Sequence, residues 1–262
     1  MYHPLTNVNP EAKIAEGVII EPFATIQKNV EIGEGTWIGP NAVIMEGARI
    51  GKNCKIFPGA VISAVPQDLK FVGEETTTVI GDNTIIRECV TINRGTQANW
   101  ETRVGNNCLI MSYVHLGHDC VIGNNCVIAG YSGLSGHVIV DDWAILGGFC
   151  AVQQFMHIGS HTYIAGGALV RKDIPPFTKA AREPISYVGI NSVGLQRRGF
   201  TNEQISKIQE IYRYIYLKDL SVSNALELIE KELPQTPERD EILSFIRNSK
   251  TGIMKGIGRE ED

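Results

Sequence analysis

Aliphatic residues recur along this chain at a spacing that suits neither a helix nor an ordinary strand. With an aliphatic as the first position of a six-residue unit, Val8, Ile14, Ile20, Ile26, Ile32, Ile38, Ile44, Ile50, Ile56 and Ile62 follow without a miss. The register lapses over about 65–79, resumes at Ile80, Ile86 and Ile92, and lapses again over 97–103. From Val104 it holds through Ile110, Leu116, Ile122, Ile128, Leu134, Val140, Leu146, Val152, Ile158, Ile164 and Val170. A helix repeats near 3.6 and a half-buried strand at 2, so a sustained period of six predicts a solenoid of short parallel strands, a parallel β-helix of hexapeptide repeats. If three units close one turn, residues 18 apart stack, and the 25 units make about eight turns, roughly 40 Å of coil at strand spacing.

Within each unit the second position is often glycine, as at Gly33, Gly51, Gly105 and Gly117, and the fifth is small. Both suit a tight corner, the glycine for backbone freedom near the turn and the small residue for the inside of the bend. After Pro175-Pro176 the pattern changes to helical spacing. Thr201 with Gln204 forms a capping-box signature ahead of Ile205, Ile208, Ile211, Tyr212 and Ile215. A second helix is expected over about 222–233, and Thr236-Pro237 reads as the cap and first position of a third. The expected organisation is a β-helix over 1–190 and a small α-helical domain over 191–262.

Composition narrows the function classes. The 262 residues are 43% hydrophobic and 20% charged, with a formal net charge of -5, which speaks against a nucleic-acid partner. No apolar run approaches a membrane span and the first residues do not resemble a secretion signal, so a cytoplasmic protein is expected. Five of the six cysteines, all but Cys89, fall at the small fifth position, where a thiol acts as a small hydrophobe. The basic residues are unevenly spread: Arg171, Lys172, Lys179, Arg182, Arg197 and Arg198 stand against only Asp173 and Glu183 in the same stretch.

Candidate chemistry concentrates at His115-Leu116-Gly117-His118-Asp119-Cys120. His118 and Asp119 occupy the third and fourth positions, where other units carry Asn106-Asn107 and Asn124-Asn125, so both are expected at an outward-facing corner. Stacking at 18 places Gly136 and Gln154 in one column with His118, and His137 beside Asp119. A histidine can take a proton from an attacking hydroxyl, a neighbouring aspartate can fix its tautomer, and a glycine lets a backbone N–H approach a developing oxyanion. That combination suits acyl transfer by direct attack, since no serine or cysteine presents itself as a nucleophile. A solvated turn is the simpler alternative.

Several segments, in this order, resemble the UDP-N-acetylglucosamine O-acyltransferase family: Pro66-Gln67-Asp68-Leu69-Lys70, Ile92-Asn93-Arg94-Gly95-Thr96, the His115–Cys120 run, Ser135-Gly136-His137-Val138, Gln154-Phe155, Asp173-Ile174-Pro175-Pro176 and Gly194-Leu195-Gln196-Arg197-Arg198-Gly199-Phe200. The resemblance implies a left-handed, three-sided β-helix assembled as a homotrimer with sites between subunits. It implies transfer of a 3-hydroxyacyl group from acyl carrier protein, where it rides on phosphopantetheine, to the 3-hydroxyl of UDP-N-acetylglucosamine, the first step of lipid A biosynthesis, with no tightly bound cofactor or metal. By the same resemblance His118 is the base, Asp119 its partner and Gly136 the oxyanion donor. Asp68 and Lys70 would reach a neighbour's cleft; Gln67, His115, His137 and Gln154 would bind substrate; Asn191, Arg197 and Arg198 would meet the nucleotide or donor. Gly166 matches a position that leaves room for a longer acyl chain. Gln153 and Val193 depart from the family, which often has histidine and a carboxylate there. The basic stretch is a candidate docking patch for an acidic carrier protein. Three alternatives remain open: the related N-acyltransferase, which carries an extra N-terminal domain; a γ-carbonic-anhydrase-like zinc enzyme using His115, His118 and His137; and a purely structural solenoid.

Overall fold

The structure, a computed structural model, describes residues 2–218 and 220–256. Twenty-five short strands wind in three parallel faces. Face one runs from Asn7–Val8 to Leu169–Val170, face two from Lys13–Ile14 to His157–Ile158, and face three from Ile19–Ile20 to Tyr163–Ile164. Register follows the predicted stacking, His115 opposite Gly133, Gly133 opposite Ala151 and Ala151 opposite Leu169. At the two lapses the partners are Val61 with Thr91 and Thr78 with Thr102, separations of 30 and 24 residues. Both exceed 18 by a multiple of six, so each loop bulges out and returns the chain to phase. The repeating aliphatics from Ile20 to Val170 are buried in one continuous core; Val8 and Ile14, in the terminal coil, are only partly covered.

The corners work differently from the expectation. The left-handed backbone falls on the fourth position, as at Asn29, Asn41, Asn53, Asn107, Asp119, Asn125 and His137, and not on the second. Asparagine and aspartate tolerate that conformation because their short side chains bond locally, which explains the recurrent Asn. The second-position glycine answers a close approach between coils: a Cβ on Gly105 would lie 2.5 Å from the Gly123 carbonyl oxygen, and one on Gly33 2.6 Å from the Gly51 carbonyl carbon. The fifth-position cysteines are buried as expected, and Cys89 is exposed. Their thiols donate to the next coil, Cys120 to the Ser135 carbonyl at 3.1 Å and Cys126 to that of Asp141 at 3.2 Å.

Beyond the coil, strands Thr178–Ala181 and Ser186–Ile190 extend face three before the chain turns helical. Helix α1 (Ser192–Arg197) was not expected; α2 (Asn202–Tyr216), α3 (Val222–Glu232) and α4 (Pro237–Asn248) match the predicted spans within a residue or two. The Thr201–Gln204 capping box forms, and Thr236 caps α4 ahead of Pro237. These helices pack about Leu195, Ile208, Tyr212, Ile215, Ile229 and Ile242. Strand Lys255–Gly256 then returns to face three, and residues 257–262, the end of the expected helical domain, lie outside the described residues. Asp173 anchors this return: its N–H donates to the Gly252 carbonyl, its carbonyl accepts from Met254, and its carboxylate accepts from the Ser249 hydroxyl at 2.6 Å.

Candidate active site

His118 follows the face-one strand His115–Leu116 at the first of the three corners, with Gly136 and Gln154 one and two coils above it. The corner does not face outward as expected: His118 is 6% exposed and Asp119 fully buried. The second interruption of the repeat is the reason. It folds Thr96 and Asn99 over Asp119, whose Oδ1 accepts from the Thr96 N–H at 3.0 Å and the Asn99 N–H at 3.2 Å. The Thr96 hydroxyl donates to Oδ2 at 2.7 Å, and the Asp119 N–H donates to the Thr102 hydroxyl. His118 Nδ1 meets the same Oδ2 at 2.7 Å. Burial pushes the Asp119 carboxyl up, but the hydrogen bonds from His118 and Thr96 outweigh it and hold the group below its usual range. An ionised Asp119 thus fixes His118 with its proton on Nδ1 and leaves Nε2 as the free base.

Gly136 packs against that free edge. A Cβ there would lie 2.6 Å from both Cε1 and Nε2 of His118, so only glycine leaves the imidazole where it is. Its amide also lacks an acceptor that the amides of one other corner have. At the corresponding position of another corner, the N–H groups of Lys52, Asp82, Asn106 and Asn124 are each taken by the Asp or Asn side chain one coil later. Among the described residues the Gly136 N–H has no hydrogen-bond acceptor.

A cavity of about 530 Å³ opens here, lined by Gln67, His115, His118, Gly136 and Gln154 among others. His115 is held by Thr91, whose hydroxyl lies 2.8 Å from Nδ1, and burial lowers its basicity. His137 stands over the corner on its left-handed backbone, its ring stacked on Phe155 at 4.7 Å and 5.0 Å from that of His118. Burial lowers its pKa as well, opposed by the charges of Asp119 and Asp68. Asp68 is thus near His137 of its own chain, on the loop whose Gln67 lines the cavity. Lys70 is exposed on the same loop and does not line the cavity.

The remaining expected residues lie elsewhere on the chain. Asn191 is buried as the N-cap of α1, its Oδ1 accepting from Gly194 and its amide donating to the His161 carbonyl. Arg198 sits at the second corner, over the Trp143 ring at 5.2 Å and beside His161, while Arg197 is exposed next to it. Burial, with Arg198 nearby, pushes His161 down to about 4. Gly166 is at the third corner, in a column with Gly130 and Gly148. Within one chain, then, neither the arginines nor Gly166 meet His118. Of the departures, Gln153 lines the cavity and Val193 is exposed on α1.

Sequence reasoning missed Thr96, Asn99 and Thr102, although the lapse at 97–103, one coil before His118, was their signal. It also passed over Asn93, which lines the cavity with Nδ2 donated to the Val65 carbonyl and a buried Oδ1 that has no partner. The zinc alternative has a partial basis, since ligand atoms of His118, Asp119 and His137 lie within 4.8 Å of one another. Every Asp119 oxygen is already saturated by donors, however, and an incoming cation would have to displace them. No described helix is long and apolar enough to cross a membrane.

The chain is similar to known proteins along nearly its whole length. The family described as "Udp N-acetylglucosamine O-acyltransferase; Domain 2" matches residues 173–254, and "Bacterial transferase hexapeptide (six repeats)" matches 29–64 and 101–136. An acyl-[acyl-carrier-protein]–UDP-N-acetylglucosamine O-acyltransferase of Chlorobaculum parvum is 54% identical over 73% of each chain. One from Janthinobacterium is 43% identical over 97% of this chain and 99% of its own. The solved UDP-N-acetylglucosamine acyltransferase of Bacteroides fragilis superposes with a TM-score of 0.95 at 50% identity, covering 97% of this chain and all of that one. That of Francisella novicida gives 0.95 at 43%, over 98% and 95%. A trimeric carbonic-anhydrase or purely structural reading explains none of these matches. The chain belongs to the acyl-[acyl-carrier-protein]–UDP-N-acetylglucosamine O-acyltransferase family.

Proposed function

We propose that this protein transfers a 3-hydroxyacyl group from acyl carrier protein to the 3-hydroxyl of UDP-N-acetylglucosamine in the cytoplasm, as the opening step of lipid A biosynthesis. The observation that carries the reading is the 2.7 Å contact of Asp119 with His118 Nδ1, with Nε2 left against the unpartnered Gly136 amide. His118 Nε2 takes the proton from the sugar hydroxyl as its oxygen attacks the thioester carbonyl. Asp119 stabilises the imidazolium that forms, and the Gly136 N–H donates to the oxyanion of the tetrahedral intermediate. Collapse breaks the carbon–sulfur bond, and the imidazolium returns its proton to the departing thiolate. No covalent acyl-enzyme intervenes.

Gln67, His115, His137 and Gln154 orient the acceptor and the acyl group in the cavity. Asn191, Arg197, Arg198 and Gly166 belong to the same site through a homotrimer, in which the first corner of one subunit faces another corner of its neighbour. The β-helix over 1–190 carries the chemistry, and 191–262 braces the top coils and offers basic surface to the carrier protein. No resident cofactor or metal is needed for this sequence of steps. Incubation with a panel of 3-hydroxyacyl carrier proteins and UDP-N-acetylglucosamine should give sugar acylated at the 3-oxygen; no product with any donor would sink the assignment.

A further inference from the structure

The run Ile92-Asn93-Arg94-Gly95-Thr96 stands between the two lapses of the repeat and touches both. Ile92 pairs with Leu116, so Arg94 holds the third position one coil below His118, at the foot of the column that continues through Gly136 and Gln154. On one side Thr96 donates to the Asp119 carboxylate, and Gly95 lies so close to the returning chain that a Cβ there would be 2.4 Å from the Glu101 nitrogen. On the other side the run grips the first lapse. The Arg94 N–H donates to the Ala64 carbonyl at 2.9 Å, the Gly95 N–H to that of Thr77 at 3.1 Å, and Asn93 Nδ2 to that of Val65 at 3.0 Å.

We propose that Arg94 is a positioning residue for the loop over 65–76, holding Gln67 against the cavity by seating Phe71; what Gln67 binds there rests on the acyltransferase reading above. The loop has little else to fix it. Most of its hydrogen bonds are internal: the Phe71 N–H donates to the Asp68 carbonyl, the Lys70 N–H to Asp68 Oδ1, and the Val72 N–H to Glu74 Oε2. Among the described residues the bond from Asn93 to the Val65 carbonyl is the single one that ties it to the coil. Leu69 and Val72 are 106% and 87% exposed, so neither anchors the middle of the loop. Phe71 stands between them, half-buried, with the Arg94 guanidinium 5.5 Å from its ring centroid, within cation–π reach. Gln67 lies between Val65, tied to Asn93, and Phe71, seated on Arg94, which fixes both ends of the stretch that carries it.

Arg94 has no competing partner. Among the described residues no carboxylate pairs with it, its buried Nε has no acceptor, and Nη1 reaches only the Glu46 carbonyl, at 3.3 Å. A partly desolvated cation with so few acceptors is a poor structural device by itself, and the ring face of Phe71 is what compensates it. A planar guanidinium suits that face better than an ammonium would. Arg94 does not line the cavity, so whatever it does for substrate runs through the loop.

Two readouts on the full chain test this in Arg94→Met, Phe71→Leu and the double variant: tryptic cleavage of the Lys70–Phe71 bond, followed by mass, and calorimetric titration with UDP-N-acetylglucosamine. Each single variant should be cut about fivefold faster and bind the sugar nucleotide about fivefold more weakly, the scale of one cation–π contact. The loss should fall on KM, with kcat within twofold of wild type, because His118, Asp119 and Gly136 are untouched. The double variant should be no worse than either single one, as two partners in one contact require. Phe71→Tyr keeps the ring and should match the wild type. Unchanged cleavage in both single variants, faster cleavage without loss of affinity, or additive losses in the double variant overturns the proposal. Phe71 is on the loop and not in the coil, so its variants decide the matter even if Arg94→Met melts early. A wild type that does not bind the sugar nucleotide would count against the acceptor reading alone, since the cleavage rates still decide whether Arg94 seats the loop.

Discussion

At the scale of single residues the site is a matter of what Asp119 and Gly136 leave available on one imidazole. Replacing Gly136 with alanine puts a methyl 2.6 Å from His118 Nε2, so the ring must turn or the coil must move. The expected result is a fall in kcat of about 10²–10³, the scale of a lost oxyanion donor. Stability should also fall by about 1–3 kcal/mol, because the added methyl overpacks a buried, hydrogen-bonded ring. Asp119 carries a pH signature as well. Its carboxyl is held below the usual range in the folded chain, so its contribution to stability is present above the unfolded value, about 3.9, and is lost as pH falls through the lower folded value. The stability gap between wild type and Asp119→Asn should therefore be full at pH 7 and close on acidification below about pH 4; chemical denaturation across that range reads it, and a gap that persists in acid contradicts the account.

At the scale of the repeat, two positions that look alike in sequence have different jobs. Gly105 allows one coil to pass close to the next, and Asn125 absorbs a left-handed corner. Gly105→Ala should cost about 1–3 kcal/mol, as overpacking against backbone does. Asn125→Gly should leave the melting temperature level or raise it, since glycine meets no steric penalty there; a destabilised Asn125→Gly with a neutral Gly105→Ala would reverse the assignment. The period of six made the solenoid, its phase and the buried cysteines legible, because each depends on nearest-neighbour spacing alone. It could not show which position carries the turn, since Gly and Asn serve both uses. Nor could it show that Asp119 is covered: that depends on Thr96, just before a lapse of the repeat, and on Asn99 within it, where spacing carries no information.

For the whole molecule the question is how three corners make one site. His118, Arg198 and Gly166 lie at three different corners of one solenoid, so a site that uses them all needs more than one subunit. Two variants each inactive alone, His118→Ala and Arg198→Ala, should recover part of the activity when denatured and refolded as a mixture, because some mixed trimers then contain one intact interface. No recovery, from mixtures shown to be trimeric by sedimentation, would place the complete site within one chain. The sequence resemblance grouped these residues by family role and had no means of telling which subunit brings each.

The central claim is that His118 removes the proton from the sugar hydroxyl. Single-turnover transfer from a 3-hydroxyacyl carrier protein to UDP-N-acetylglucosamine, compared between wild type and His118→Ala at equal saturation, tests it most directly. The account predicts a rate lower by about 10²–10⁴ in the variant, the contribution of a general base, with the fold intact by melting. A folded, saturated His118→Ala that transfers the acyl group within twofold of the wild-type rate would contradict it.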